Sequence, residues 1–343
     1  MKKLDYKGKR VFIGIDVHKK SYTIAAICEG EVVKKATLPG ERKRLLEYLS
    51  KHFSGAEFET SYEAGFSGFY LHRHLTKKGI KNIVVHPAAI EISARDKVKT
   101  DKRDALKIAT QLAAKRLEGV HVPSPEQEDR RELTRLRERL IKTRTRLGAQ
   151  LKHKAHYYGF SESGDIRVVS KKWIEELLKN PMRAGLRYHV ESLAEEWREI
   201  SRKIQEVEKL LRVQAKEDES HEKVYRSVPG IGPVSARILS NELGDMSQFK
   251  TEGSLFSYVG LTPREYSSGE HRRQGHITGQ GKPVLRRVLT QCSWVAIKQD
   301  KGLQEIYERI ARRRGGKRAI IGIARRLIGR ARACFRKGEE YTN

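Results

Sequence analysis

The chain has 343 residues, with 71 Lys and Arg against 43 Asp and Glu, a formal net charge of +28 and 38% apolar residues. That length and apolar content exclude wholesale disorder and a small disulfide-stapled scaffold, and they allow two or three domains. The cationic surplus points to nucleic acid, and apolar runs such as residues 319–324 fall far short of the ~20 residues of a membrane span.

Residues 1–10 carry charge with no apolar stretch behind them, so no signal peptide is expected. Residues 11–15 are a short apolar run of buried-strand type. Residues 22–27 and Val32-Val33 flank a Glu29-Gly30 turn, which predicts a three-stranded meander. Leu45, Leu46, Tyr48 and Leu49 have helical spacing, and residues 58–62 and 83–86 read as strands around a helix near 70–78. Three antiparallel strands followed by alternating helices and strands is the order expected of a ribonuclease H-like sheet, and other α/β folds fit it too.

After Pro123 and Pro125 the chain turns helical and highly charged. Leu133, Leu140 and Leu147 recur at sevens, with Leu136 between the first two. Val190, Leu193, Trp197, Ile200, Ile204, Val207 and Leu211 then step alternately by three and four, as a coiled-coil seam demands. Long helices are predicted over 126–155 and 170–215, packed on each other or, the favoured reading, on a second subunit. From Val224 a third region begins. Its Val228-Pro229-Gly230-Ile231-Gly232 resembles the turn of a helix-hairpin-helix module, where glycine N–H groups and a helix N-terminus can meet a phosphate. A Gly/Ser-rich basic loop follows over 266–282. Ile320, Ile323, Leu327, Ala331 and Phe335 then put an apolar stripe on a basic helix, suited to phosphate contact or, alternatively, to a membrane surface. The predicted boundaries are 1–122, 123–222 and 223–343. Cys28, Cys292 and Cys334 are scattered without metal spacing, which points to a reducing, cytoplasmic interior.

Acidic residues in apolar settings stand out in so basic a chain. Asp16 ends the first strand, Glu63 follows the fourth, and Asp101 and Asp104 lie three apart at a helix start, on one face. Four carboxylates brought together repel unless cations lie between them. Hard oxygen ligands suit Mg²⁺, and Mn²⁺ is the alternative. Singly, each has a structural reading: a cap beside Thr100, a turn into the hairpin, a lysine pair. Ser267-Ser268-Gly269, taken alone, is a loop.

The pieces Gly14-Ile15-Asp16-Val17-His18-Lys19, Tyr62-Glu63-Ala64, Lys99-Thr100-Asp101-Lys102-Arg103-Asp104-Ala105, Val228-Pro229-Gly230-Ile231-Gly232 and Gly260-Leu261-Thr262-Pro263-Arg264 through Ser268-Gly269 occur in that order. Together they resemble the DEDD transposases of the IS110 insertion-sequence family, over nearly the whole chain. The resemblance implies a RuvC-like N-terminal domain, a coiled-coil middle and a C-terminal transposase domain. It implies a recombinase of DNA in a prokaryotic nucleoid, guided by a structured RNA that pairs with donor and target. By motif position Asp16, Glu63, Asp101 and Asp104 would bind the metal. Ser268 would be the nucleophile, with Ser267 its rival. Arg264, Arg272, Arg273 and Lys282 are candidate phosphate contacts. A homodimer or tetramer is expected, because recombining two duplexes needs several active sites. Two other classes remain: a metal-dependent nuclease or junction resolvase without covalent catalysis, and a non-catalytic packaging protein.

Overall fold

A computed structural model of the chain describes residues 5–91, 100–161, 168–266, 268 and 274–342. They form two compact units, 1–122 and 123–343. No described helix is long and apolar enough to cross a membrane.

The first unit contains strands β1 (Arg10–Val17), β2 (Ser21–Cys28) and β3 (Glu31–Pro39), helix α1 (Arg42–His52), strand β4 (Glu57–Glu63), helix α2 (Tyr70–Lys77), strand β5 (Lys81–Val85) and helix α3 (Asp101–Ala113). Among the described residues these strands make one mixed sheet in the order β3-β2-β1-β4-β5. β1, β2 and β3 are antiparallel neighbours, whereas β4 runs parallel to both β1 and β5. That order is consistent with a ribonuclease H-like domain.

The sheet is apolar on both faces, so its central strands read as near-continuous hydrophobic runs. Val11, Ile13 and Ile15 point to the face packed by Leu45, Leu49 and Phe53 from and after α1, and by Leu71 and Leu75 of α2. The alternate residues face α3, where Ala105 and Ala109 meet Ala25 and Ile27. Gly14 lies under that helix. A Cβ on Gly14 would stand 2.1 Å from the Ala105 carbonyl oxygen and 2.4 Å from the Ala109 nitrogen. Only glycine lets α3 come so close, and the contact brings the start of α3 to the carboxyl end of β1.

The second unit opens with two long helices, α4 (Pro125–Tyr157) and α6 (Ala184–Glu217), with the short α5 (Lys171–Leu178) between them. α4 starts at a capping box in which Ser124 and Gln127 satisfy each other's backbone N–H groups. Leu140 packs with Ile204, Val207 and Leu211, and Leu147, Leu151 and Ala155 pack with Val190, Ala194 and Trp197. The two helices are therefore antiparallel. The heptad seam is filled by α4 of the same chain.

The remainder comprises α7 (Glu219–Ser227), α8 (Pro233–Leu243), α9 (Glu252–Tyr258), a two-stranded hairpin of β6 (Pro263–Glu265) and β7 (Gln274–Ile277), α10 (Pro283–Gln299), α11 (Lys301–Arg314) and α12 (Gly316–Lys337). Ile323, Leu327 and Ala331 are wholly buried in the core of this region. The stripe on the last helix thus packs inward, and not against a membrane. Gly230 adopts a φ of +79°, and a Cβ there would stand 2.3 Å from the Cys292 carbonyl oxygen. Its N–H donates to Gln299 Oε1 at 2.8 Å. The Gly230 N–H is thus already used, and this glycine serves close packing of the turn on α10.

Candidate active site: a carboxylate cluster and an exposed serine hairpin

Asp16 lies at the carboxyl end of β1, one residue past Ile15, whose partner on β4 is Tyr62. The same register puts Glu63 beside Asp16 at the ends of two adjacent parallel strands. In open α/β sheets ligands gather at this edge. α3 begins at Asp101 and carries Asp104 one turn on. Asp16 is partly buried, with its side chain 21% exposed. Burial pushes its carboxyl up from the ordinary value, and the charges of Asp101 and Asp104 add to that, while His18 works against it.

His18 joins the group. Its Nε2 lies 3.2 Å from Asp16 Oδ2 and 3.3 Å from Asp101 Oδ2. Asp16, His18 and Asp101 each present a ligand atom within 4.8 Å of the others. Asp104 instead pairs with Lys107 Nζ at 3.3 Å, and Glu63 is exposed and outside that trio. Sequence reasoning missed His18. Its signal was the Asp-x-His spacing, which puts both side chains on one face as the strand ends.

In the second unit β6 and β7 pair through Pro263 with Ile277 and Glu265 with Gln274. The stretch 266–282, expected to be only a loop, therefore includes the strand β7. Ser268 is exposed there, whereas Ser267, Arg272 and Arg273 lie outside the described residues. Arg264 is exposed on β6, and its Nη2 donates to the Thr278 carbonyl at 3.5 Å. Lys282 departs from expectation: its Nζ donates to Glu242 Oε2 at 2.5 Å and stands 5.2 Å from the Tyr258 ring centre. Glu242 is buried and also accepts from Arg135 Nε at 3.1 Å. Burial pushes the Glu242 carboxyl up, but Lys282 and Arg135 outweigh it and hold the group below its ordinary value. The Lys282 ammonium therefore rests against a buried anion, with a third of its side chain still exposed.

Two transposase families match the chain. One, described as a DEDD transposase, matches residues 13–156. The other, described as the transposase IS116/IS110/IS902 family, matches residues 222–308. A putative transposase, y4qE, of Sinorhizobium fredii is 30% identical over 84% of this chain and 72% of its own length. The transposase for insertion sequence element IS1533 of Leptospira borgpetersenii is 26% identical over 96% of both chains. That for element IS1111A of Coxiella burnetii is 25% identical over 96% of this chain and 90% of its own. The chain belongs to the IS110 transposase family.

The transposase is accordingly an enzyme that binds DNA, cuts it and rejoins it. A divalent metal is the cofactor its DEDD domain suggests, and the cluster suits one. Asp16 and Asp101 offer hard oxygens at the distance a shared cation needs, and their mutual repulsion would be relieved by a double positive charge. An imidazole beside them is a donor that Mn²⁺ accepts more readily than Mg²⁺ does.

Proposed function

We propose that this transposase recombines DNA through a covalent serine intermediate, with its carboxylates acting on the scissile phosphate. Two observations support the reading: one unit holds a metal-suited carboxylate cluster, and the other exposes a serine beside a hairpin that carries Arg264. A divalent cation, Mg²⁺ with Mn²⁺ as the alternative, would be held by Asp16, Glu63, Asp101 and Asp104, with the His18 imidazole as a further donor. When bound it would supply charge that polarises the phosphate. The Ser268 Oγ attacks phosphorus, its proton leaves, and the O3′ of the broken ester departs and is protonated as a free hydroxyl. That hydroxyl, or one from an exchanged strand, then attacks the phosphoserine and restores both the DNA ester and the serine. No bond energy is lost to water, so rejoining needs no external source. Arg264, Arg272, Arg273 and Lys282 would hold the phosphate.

A structured RNA from the element's own locus is proposed as guide and a dimer or tetramer as the working form. The surplus of +28 supports a large nucleic-acid footprint. Recombining two duplexes supports several active sites. The intrachain packing of α4 and α6 does not by itself supply the oligomer contact.

The test uses the purified protein with co-purified RNA, Mg²⁺ and labelled DNA from the ends of its own locus. A denaturing gel of wild type should show DNA attached to protein. The adduct should vanish in Ser268→Ala, persist in Ser267→Ala and vanish in Asp16→Asn. Cleaved but unattached DNA from both serine variants would overturn the reading in favour of a metal-dependent nuclease.

His18 gives a separate expectation. As a donor to the cation, its loss in His18→Ala should weaken Mn²⁺ binding by roughly tenfold, read as free Mn²⁺ by electron paramagnetic resonance. Unchanged affinity would show that the imidazole only offsets carboxylate repulsion in the metal-free protein.

A further inference from the structure

The far end of the α4–α6 hairpin carries a surface that the carboxylate and serine chemistry does not use. His153, Tyr157, Tyr158 and Phe160 form a continuous chain of ring contacts. His153 and Tyr157 stack at 6.1 Å and 22°, Tyr157 meets Tyr158 edge-on at 5.0 Å, and Tyr158 stacks on Phe160 at 6.2 Å and 20°. Phe160 packs against the core of the hairpin, so it anchors the row. Tyr157 is 71% exposed and Tyr158 46%. Burial therefore does not explain these rings.

Their setting is cationic. Over residues 139–157 α4 carries Arg139, Lys142, Arg144, Arg146, Lys152 and Lys154 and not one Asp or Glu. Lys142 pairs with Glu138 at 3.6 Å and Arg144 stands over the Trp197 ring of α6 at 6.0 Å, so Arg139, Arg146, Lys152 and Lys154 carry the charge towards the rings. Exposed rings at the end of a cationic track are what unpaired bases on a phosphate backbone require, since every base has a face to stack and every linkage a charge to neutralise. A duplex hides its base faces. A second copy of this tip would bring a second set of cations against the first.

We infer that the tip of the α4–α6 hairpin is a binding site for single-stranded nucleic acid, with Tyr157 and Tyr158 stacking on unpaired bases and Lys152 and Lys154 contacting the backbone. The site adds a base-contacting surface to the transposase, and it does not depend on the serine chemistry or on a guide RNA.

The test measures fluorescence anisotropy of the full-length protein with a labelled oligo(rU) or oligo(dT) strand of about 16 nucleotides and with a mixed-sequence duplex of equal length. The double variant Tyr157→Ala/Tyr158→Ala should bind either strand roughly tenfold more weakly and the duplex as wild type does. Tyr157→Phe/Tyr158→Phe should keep strand binding, because stacking needs the ring and not the hydroxyl. Lys152→Gln/Lys154→Gln should lower the slope of log affinity against log salt by about 1.4. Equal losses on strand and duplex, no loss on either, or an unchanged salt slope would each overturn the proposal. So would sedimentation showing that the alanine pair loses an oligomer while strand affinity stays intact. If the alanine pair fails to fold, retained strand binding in the phenylalanine pair and the salt slope of the lysine pair decide.

Discussion

Gly14→Val should cost this transposase both its DNA cleavage and about 3 kcal/mol or more of stability. The cause is local and backbone-deep. The new Cβ would overlap the Ala105 carbonyl oxygen and the Ala109 nitrogen of α3, at 2.1 and 2.4 Å. No rotamer relieves such a contact, because neither partner atom belongs to a side chain. Either α3 lifts off the sheet or β1 leaves its ladders with β2 and β4. Lifting α3 moves Asp101 and Asp104 away from Asp16. Displacing a reacting group by about 1 Å can cost around a hundredfold in rate. Strand cleavage of labelled element ends and a thermal melt would be read together. Gly185→Ala, at a helical glycine with nothing within 4 Å of the added Cβ, is the control and should change neither. Wild-type cleavage by Gly14→Val would show that the carboxylates do not depend on where α3 sits.

The same glycine shows how far the sequence could be read. The strands that build the site were legible because they are buried on both faces, and residues 11–15 and 22–27 are nearly uninterrupted apolar runs. β3 was seen only at Val32-Val33 because it is an edge strand whose Lys34 and Lys35 face solvent, as edges commonly do. The long helices were legible because their seam is periodic. What the seam touches was not, since a stripe that fits a second subunit fits α4 equally well. The β6–β7 hairpin was hidden because strands of three and four residues, rich in Pro, Gly and charge, carry no period to detect. In the site, Asp16, Glu63, Asp101 and Asp104 stood out as acids in a basic chain. His18 did not: one exposed imidazole looks like surface until Asp101 arrives from 83 residues away. The partner of Lys282 was hidden as well: a lysine in a basic loop reads as a phosphate contact, and only the fold shows Glu242 beside it.

Arg237→Met should destabilise the second unit by about 3–5 kcal/mol. Arg237 is 2% exposed and sits in the joint between α6, α7 and α8. Its guanidinium donates to the carboxylate of Asp218 and to the Gln214 carbonyl, the latter at 3.0 Å. Asp218 also accepts from Ser240 Oγ at 2.6 Å and faces His221 Nδ1 at 3.0 Å. Burial pushes the Asp218 carboxyl up, but hydrogen bonds from His221, Ser240 and Arg237 overcome it and hold the group far below its ordinary value. The bond to Asp218 raises His221 above its ordinary value, against burial. Removing the arginine while leaving the acid strands a buried charge. Removing both, in Arg237→Met/Asp218→Leu, should recover only part of the loss, because Glu222, buried 3.6 Å from Arg237, still loses its cation.

The network also sets a pH dependence with two limbs. Asp218, depressed in the folded protein, contributes stability that is complete above the unfolded value near ~4 and is lost as acid protonates it. His221, raised in the folded protein, contributes stability that is complete below about pH 6.5 and is lost as the pH rises through its folded value. Melting temperature against pH should therefore fall on both sides of a plateau. His221→Gln should flatten the alkaline limb and weaken the acid one, which Ser240 and Arg237 then sustain alone. Asp218→Asn should weaken both, since each limb depends on that carboxylate. An alkaline limb that persists unchanged in His221→Gln would assign it to another group and remove the histidine from the joint's energetics.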